Sequence, residues 1–206
     1  MKFEEWEPLY TRILEDFGFD REKDELAALY LQSIIPRDNI DVLEQLCMEG
    51  TITVCGNSPS LIDELDGISG ILFAADGAAS RLFELGIQPD AVFTDLDGAD
   101  ERFPEMNRAG TLMVVHAHGD NMPLLEFWVP QFEGPFVATT QSRPIRGVYN
   151  FGGFSDGDRA VFAAHALGAR SVSIVGFDLD DTSVDPVKRE KLRWARTLLS
   201  LLGHDL

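Results

Sequence analysis

Ala74 to Asp100 reads AADGAASRLFELGIQPDAVFTDLDGAD, and its pattern decides the fold. An apolar run, Ile71 to Ala74, ends in Asp76-Gly77; a helical segment, Ala78 to Leu85, is stopped by Gly86; a second apolar run, Ala91 to Phe93, enters Thr94-Asp95-Leu96-Asp97. Strand, turn, helix, strand, turn is the unit of a parallel sheet, and both acidic turns follow a strand. Side chains two apart on extended backbone project to the same side, so Asp95 and Asp97 offer two carboxylates in one direction, with Asp100 and Asp76 close by. Two such charges ~5 Å apart repel by roughly 3 kcal/mol at an effective dielectric of ~20, which favours a shared proton or a bound cation. Ligands that are all hard oxygens favour Mg²⁺ over zinc, making Asp76, Asp95, Asp97 and Asp100 the candidate metal ligands.

The same alternation continues on both sides. Short apolar runs at Ile52 to Val54, Leu112 to Val115, Phe136 to Ala138 and Val172 to Val175 join the two above, each separated by helical sequence. This predicts an α/β, Rossmann-like three-layer sandwich with a mostly parallel sheet over residues 51–206. The turns after the runs are Cys55-Gly-Asn-Ser-Pro59, Asp76-Gly77, Asp95-Leu-Asp97, His116-Ala-His-Gly-Asp-Asn121, Thr139-Thr-Gln141 and Gly176-Phe-Asp178. In a parallel sheet all six lie along one edge, where open α/β folds bind ligands. Residues 1–50 read as a separate helical segment: Trp6, Leu9, Ile13 and Phe17 share a face ended by Gly18, Asp24 to Ser33 carries Leu26, Leu29 and Tyr30, and Asn39 to Met48 follows Pro36.

The 206 residues, 45% apolar and 25% charged, belong to a globular chain with a good core. The acidic start MKFEEWEPLY is not a signal peptide and no run reaches membrane-spanning length, so a cytoplasmic protein is expected. With only Cys47 and Cys55, both are read as reduced, partly buried thiols. A net charge of -18 argues against a nucleic-acid partner, though not against a nucleotide arriving with Mg²⁺. Lysine is confined to Lys2, Lys23, Lys188 and Lys191. Such an acid excess suits a high-salt cytoplasm, and a halophilic host is a hypothesis that full stability in dilute buffer would remove.

Asp76-Gly-Ala-Ala-x-x-Leu82, Leu85-Gly-Ile-x-Pro-Asp90 and Thr94-Asp-Leu-Asp-Gly98 resemble the thiamine pyrophosphokinase pattern, in which an Asp-Gly-Gly helix start and a Gly-Asp-x-Asp-Ser turn hold magnesium and ATP. Val115 to Asn121, Thr139 to Gln141 and Asn150-Phe-Gly-Gly-Phe-Ser-Asp-Gly-Asp-Arg159 more closely resemble the related archaeal 6-hydroxymethyl-7,8-dihydropterin diphosphokinase family, the matches covering roughly residues 50–180. The resemblance implies transfer of diphosphate from ATP, with Mg²⁺, to a pterin alcohol. It implies Asp95, Asp97 and Asp120 as catalytic residues, and Asp76, Gly77, Thr139, Thr140 and Gln141 around ATP; Gly56, Asn57 and Ser58 join them on their own chemistry, as N–H groups at a helix start offered to a phosphate. His118, Asn121, Asn150, Phe151, Gly153 and Asp156 then fall to the pterin, with Phe151 or Phe154 stacking on its ring.

Each of these residues also has a plainer reading. Gly56 to Ser60 is ordinary helix-start chemistry, Asp156 and Asp158 complement a helix dipole below the cap Ser155, and His116 points into the core. Arg143 and Arg146 are candidate phosphate clamps in a chain without a Walker loop, Asp178 a residue that closes the site, and the basic side of Pro186 to Leu202, with Lys188 and Lys191, a solvated face by default, its lesser reading a reach over to ATP. Three other functions are weighed. Thiamine pyrophosphokinase is disfavoured, since its β-rich C-terminal part is missing. A nucleotide-sugar glycosyltransferase is suggested by the Gly56-Asn57-Ser58-Pro59 turn, which resembles one in bacterial sialyltransferases, and by kinship with flagellin-modifying proteins. The third is a nucleotide-sensing module. The oligomeric state, a homodimer among the options, stays open.

Overall fold

The computed structural model describes residues 1–205. Three helices, α1 (Phe3–Phe17), α2 (Arg21–Ile34) and α3 (Ile40–Cys47), precede β1 (Thr51–Cys55), β2 (Ile71–Ala75), α4 (Gly77–Glu84), β3 (Ala91–Thr94), α5 (Arg102–Arg108), β4 (Leu112–Ala117) and α6 (Met122–Trp128). The chain continues through β5 (Phe136–Thr140), β6 (Val148–Tyr149), α7 (Asp156–Ala166), β7 (Ser171–Val175) and α8 (Pro186–Leu201). The strands form one sheet of order β6-β5-β4-β3-β2-β1-β7, with every pairing parallel. All six apolar runs are strands of this sheet, and the α/β class read from the sequence is the observed one. The two-residue strand β6 was not expected; so short a pairing leaves no periodicity to read.

Alternation along the strands sorts side chains between two cores. Leu72, Ala74, Val92, Met113, Val115 and Ala138 face α2, α4, α5 and α6. Ile52, Val54, Phe73, Phe93, Val114 and Val137 face α3, α7 and α8. Helix α1 stacks outside the second layer, with Trp6, Tyr10 and Ile13 packed on Phe162 of α7 and on Trp194 and Leu198 of α8. Gly18 ends α1 in the left-handed region (φ 65°), a conformation that costs little without a Cβ.

The buried face of α2 follows its large apolar residues only in part, with Tyr30 and Leu31 packed on the core. Leu26 and Leu29 are exposed, and Asp24, Ala27, Ala28 and Leu31 are buried. Alanines let the helix lie close to the sheet, and the buried Asp24 carboxylate is fully engaged. It accepts from Tyr10 Oη (2.7 Å), Gln141 Nε2 (2.7 Å) and the Gly119 N–H (2.8 Å). Trp6 Nε1 adds a buried bond to the Gln141 carbonyl (2.8 Å), so the two N-terminal helices are tied to the ends of β4 and β5.

From β1 the chain steps across the sheet to β6, and α7 then crosses back to set β7 beside β1. The segment after β1 packs Leu61 into the layer of α4, while β7 leads to α8 in the opposite layer. Chain exits on opposite faces at neighbouring strands open a crevice there, beside the edge that carries the acidic turns. Among the described residues no helix is long and apolar enough to cross a membrane.

Candidate active site

Three carboxylates converge at the crevice. Asp76 directly follows β2 with φ at 41°, an unfavourable region for a side chain, and is held there by its N–H on the Phe93 carbonyl (2.8 Å) and by Thr94 Oγ1 on its Oδ1 (2.7 Å). Asp95 follows β3. Its Oδ1 accepts the Asp97 N–H (3.1 Å), its Oδ2 meets His118 Nε2 (3.3 Å), and its carbonyl accepts Asn121 Nδ2 (2.8 Å). Asp156 opens α7, where Arg159 Nη1 donates to its Oδ1 (3.1 Å). One carboxylate oxygen from each of Asp76, Asp95 and Asp156 lies within 4.8 Å of the others. Asp97 stands beside Asp76 and Asp95 at the exposed rim.

The charges in this cluster oppose one another. Burial, with the negative charges of Asp97 and Asp95 and against the Thr94 hydrogen bond, pushes Asp76 up to about 6. Burial and then the charge of Asp95 push Asp156 well above the ordinary carboxylate range, although Arg159 pulls the other way. Asp97 is raised for the same reasons, burial first and Asp95 second. Asp95 is the exception: burial would raise it, but the His118 hydrogen bond and the charges of Arg159 and His118 hold it below the usual range. Raised carboxyls crowded around a depressed one describe a site short of positive charge. The donor set is all oxygen, and a hard divalent ion, which takes such ligands at about 2.1 Å, would draw the three inward and relieve the repulsion.

The cluster forms part of the wall of a cavity of about 520 Å³, within the range of roughly 300–1,000 Å³ usual for small-molecule sites. Gly56, Asn57, Ser58, Gly77, Asp97, His118, Asp120 and Gln141 also line it, as does Asp178. Gly56 is fixed by packing, since a Cβ there would sit 2.6 Å from the Gly176 carbonyl and from the Phe177 ring. The expected helix after Ser58 is only a four-residue 3₁₀ turn, Pro59–Ile62, and Ser58 makes no cap bond. Arg81 instead braces the turn, donating to the Ser58 carbonyl (2.9 Å) and Asn57 Oδ1 (3.2 Å).

Other residues singled out in the sequence lie outside the cavity wall. Asp100 caps α5 through the Arg102 N–H (2.9 Å) and accepts from Ser80 Oγ (2.9 Å) and the Arg102 guanidinium (2.5 Å). Asn121 braces the loop after β4, bonding the His116 carbonyl (2.7 Å) and the His118 N–H (3.1 Å) besides Asp95. Asn150 holds the chain end of β5 through the carbonyls of Gln141 (2.9 Å) and Ser142 (2.8 Å). Gly153 packs under the Arg159 backbone, and Phe151 stacks on Tyr149. Thr139, Thr140 and Phe151 line a smaller space beneath the cluster, with the buried His116. Phe154, by contrast, lies on the main wall beside Phe19. Arg143 covers the Phe3 ring, 4.9 Å from its centroid, and is not part of the cavity wall.

Of the site's cations, the sequence pointed only to Lys188 and Lys191, as the lesser reading of their helix, and Lys23 and Arg159 were not singled out. Arg159, Lys23, Lys188 and Lys191 all line the cavity, which gathers three of the chain's four lysines around one space. Lys188 and Lys191 share their helix face with Leu192 and Ala195, also on the wall, rather than standing opposite them. In a chain this acidic, the scarcity of lysine was the signal that could have drawn attention to those three positions.

With that geometry in place, comparison with known proteins gives a consistent result. Residues 30–184 match the family model described as 6-hydroxymethylpterin diphosphokinase MptE-like. A protein of Pyrococcus furiosus named 6-hydroxymethyl-7,8-dihydropterin pyrophosphokinase is 43% identical over 225 residues, covering 100% of this chain and 96% of its own. Proteins of the same name from Methanothermobacter thermautotrophicus and Methanocaldococcus jannaschii are 40% and 32% identical, over 100% and 98% of this chain and 97% and 96% of their own. A match of this extent, running through every strand of the sheet and all three clustered carboxylates, means that the chain belongs to the MptE-like 6-hydroxymethylpterin diphosphokinase family.

Proposed function

We propose that this protein transfers the terminal diphosphate of ATP to the hydroxymethyl group of 6-hydroxymethyl-7,8-dihydropterin. The substrate oxygen attacks the β-phosphorus, the bond from that phosphorus to the oxygen bridging the α-phosphate breaks, and AMP leaves. The observation that carries the reading is the convergence of Asp76, Asp95 and Asp156 in the cavity that also gathers Arg159, Lys23, Lys188 and Lys191. Three carboxylates clustered on the wall of a nucleotide-sized space would repel a triphosphate unless a cation came between, and the donor set suits Mg²⁺. When bound, such an ion supplies charge neutralisation on the transferring phosphates.

The chain's own residues divide the rest of the work. Asp76, Asp95 and Asp156 hold the ion, with Asp97 at the rim. Lys188, Lys191 and Arg159 neutralise phosphate charge from the facing walls, while Gly56, Asn57, Ser58 and Gly77 present the turn against which ATP lies. Phe154 and Phe19 offer an aromatic surface for the pterin ring, near His118 and Gln141. Asp120, on the wall and outside the three-carboxylate cluster, accepts the hydroxyl proton. Incubation of the purified protein with ATP, Mg²⁺ and the pterin alcohol should yield AMP and pterin diphosphate in equal amounts. Release of ADP, or sugar-nucleotide turnover without AMP, would refute the reading.

A further inference from the structure

Beneath the carboxylate cluster, His116, Thr139, Thr140 and Arg159, with Phe93 and Phe151, surround a second cavity of about 10 Å³. Two buried polar atoms of these residues have no hydrogen-bond partner, Nε2 of His116 and Nε of Arg159. The two residues are 2% and 8% exposed. Their roles are complementary. Thr139 Oγ1 donates to the Val115 carbonyl (3.1 Å), so in its contact with His116 Nδ1 (3.1 Å) the hydroxyl accepts. His116 therefore carries its proton on Nδ1, and Nε2 presents a lone pair. Arg159 Nε, always protonated, presents a hydrogen. An unmet acceptor and an unmet donor thus border one space with room for a single water, and a buried polar atom left unpaired is costly.

We propose that one buried water accepts from Arg159 Nε and donates to His116 Nε2, making His116 a positioning residue for the guanidinium that orients Asp156. Arg159 is then held from behind through Nε while its Nη1 grips the Asp156 carboxylate (3.1 Å). Partners at this distance from a metal carboxylate commonly set its orientation. The hydration site stands on geometry alone; its effect on turnover rests on the diphosphokinase reading.

A high-resolution crystal structure of the wild-type protein should show a water between the two nitrogens, and ¹⁵N NMR should find His116 protonated on Nδ1 only. His116→Asn keeps a group near Nδ1 and removes the acceptor at Nε2, whereas His116→Gln returns an amide oxygen near Nε2. The Asn variant should lose about 10- to 100-fold in Mg²⁺ affinity and in kcat, and the Gln variant should recover most of both. A dry cavity, a proton on Nε2, or equal behaviour of the two variants overturns the proposal. Should neither variant fold, the density and the NMR tautomer still decide it. A wild-type protein that makes no AMP would defeat the diphosphokinase reading and leave the water, seen in density, untouched.

Discussion

Gly98→Ala is a substitution aimed at a single oxygen. A Cβ on Gly98 would lie 2.1 Å from Asp76 Oδ2 and 3.0 Å from its Cγ, against the ~3.5 Å at which non-bonded atoms settle. The oxygen must therefore retreat by more than about 1 Å. Asp76 has little freedom to do so, because Thr94 holds its other oxygen at 2.7 Å and its backbone already sits at φ 41°. The turn carrying Gly98 is pinned too, by the Ala99 N–H on the Leu96 carbonyl (3.3 Å). Displacement of a catalytic group by about 1 Å costs on the order of 100-fold in rate, or roughly 2.7 kcal/mol in the barrier. Gly98 is exposed and its φ is not positive, so the loss of stability should stay within the about 1–3 kcal/mol usual for a local overlap and leave the protein folded at assay temperature. The assay is AMP release over a Mg²⁺ titration: kcat should fall about 100-fold and the Mg²⁺ requirement rise. Wild-type kcat with an unchanged Mg²⁺ requirement would refute the placement of Asp76 in the reacting site.

Asp95→Asn should lower kcat by on the order of 100-fold and Asp97→Asn by about tenfold, since Asp95 is inside the cluster and Asp97 at its exposed rim; steady-state rates in the reverse order would contradict that geometry. Lys188→Ala and Lys191→Ala should each raise the KM for ATP by about tenfold, with less effect on the KM for the pterin, as expected when one charge-assisted phosphate contact is lost; equal shifts in both constants would argue against phosphate binding. Asp24→Ala leaves the buried Tyr10 and Gln141 donors and the half-buried Gly119 N–H without an acceptor and should cost about 3 kcal/mol, lowering Tm by roughly 6–12 °C in a scan. Burial pushes the Cys47 and Cys55 thiols up to about 12, so thiolate is scarce at pH 8 and a disulfide reagent should titrate neither until the protein is unfolded; rapid labelling of the native state would contradict their burial.

Strand positions and the acidic turns were legible because they rest on local rules: a fully buried parallel strand reads as an apolar run, and the turn at its carboxyl end lies at the ligand edge. Asp76 and Asp95 were reached in that way. Asp156 was legible as a polar residue at a helix start, but its place beside them depends on α7 crossing the sheet from β6 to β7, which no local pattern encodes. Asp100 and Asp95 look alike in sequence; only the fold sets Arg102 and Ser80 against one and His118 against the other. The apolar pattern of α2 misled in part, because Leu26 and Leu29 face solvent while Asp24, Ala27 and Ala28 join Leu31 in the contact. Lys23, Lys188 and Lys191, at opposite ends of the chain, meet only once α1, α2 and α8 have packed around the crevice.

The most direct test of the carboxylate cluster is a crystal structure with Mn²⁺ and a non-hydrolysable ATP analogue, read by anomalous scattering from the metal. An anomalous peak among the carboxylates of Asp76, Asp95 and Asp156, touching the analogue's phosphates, is the expected result. A metal bound to the phosphates but away from all three aspartates would contradict the account.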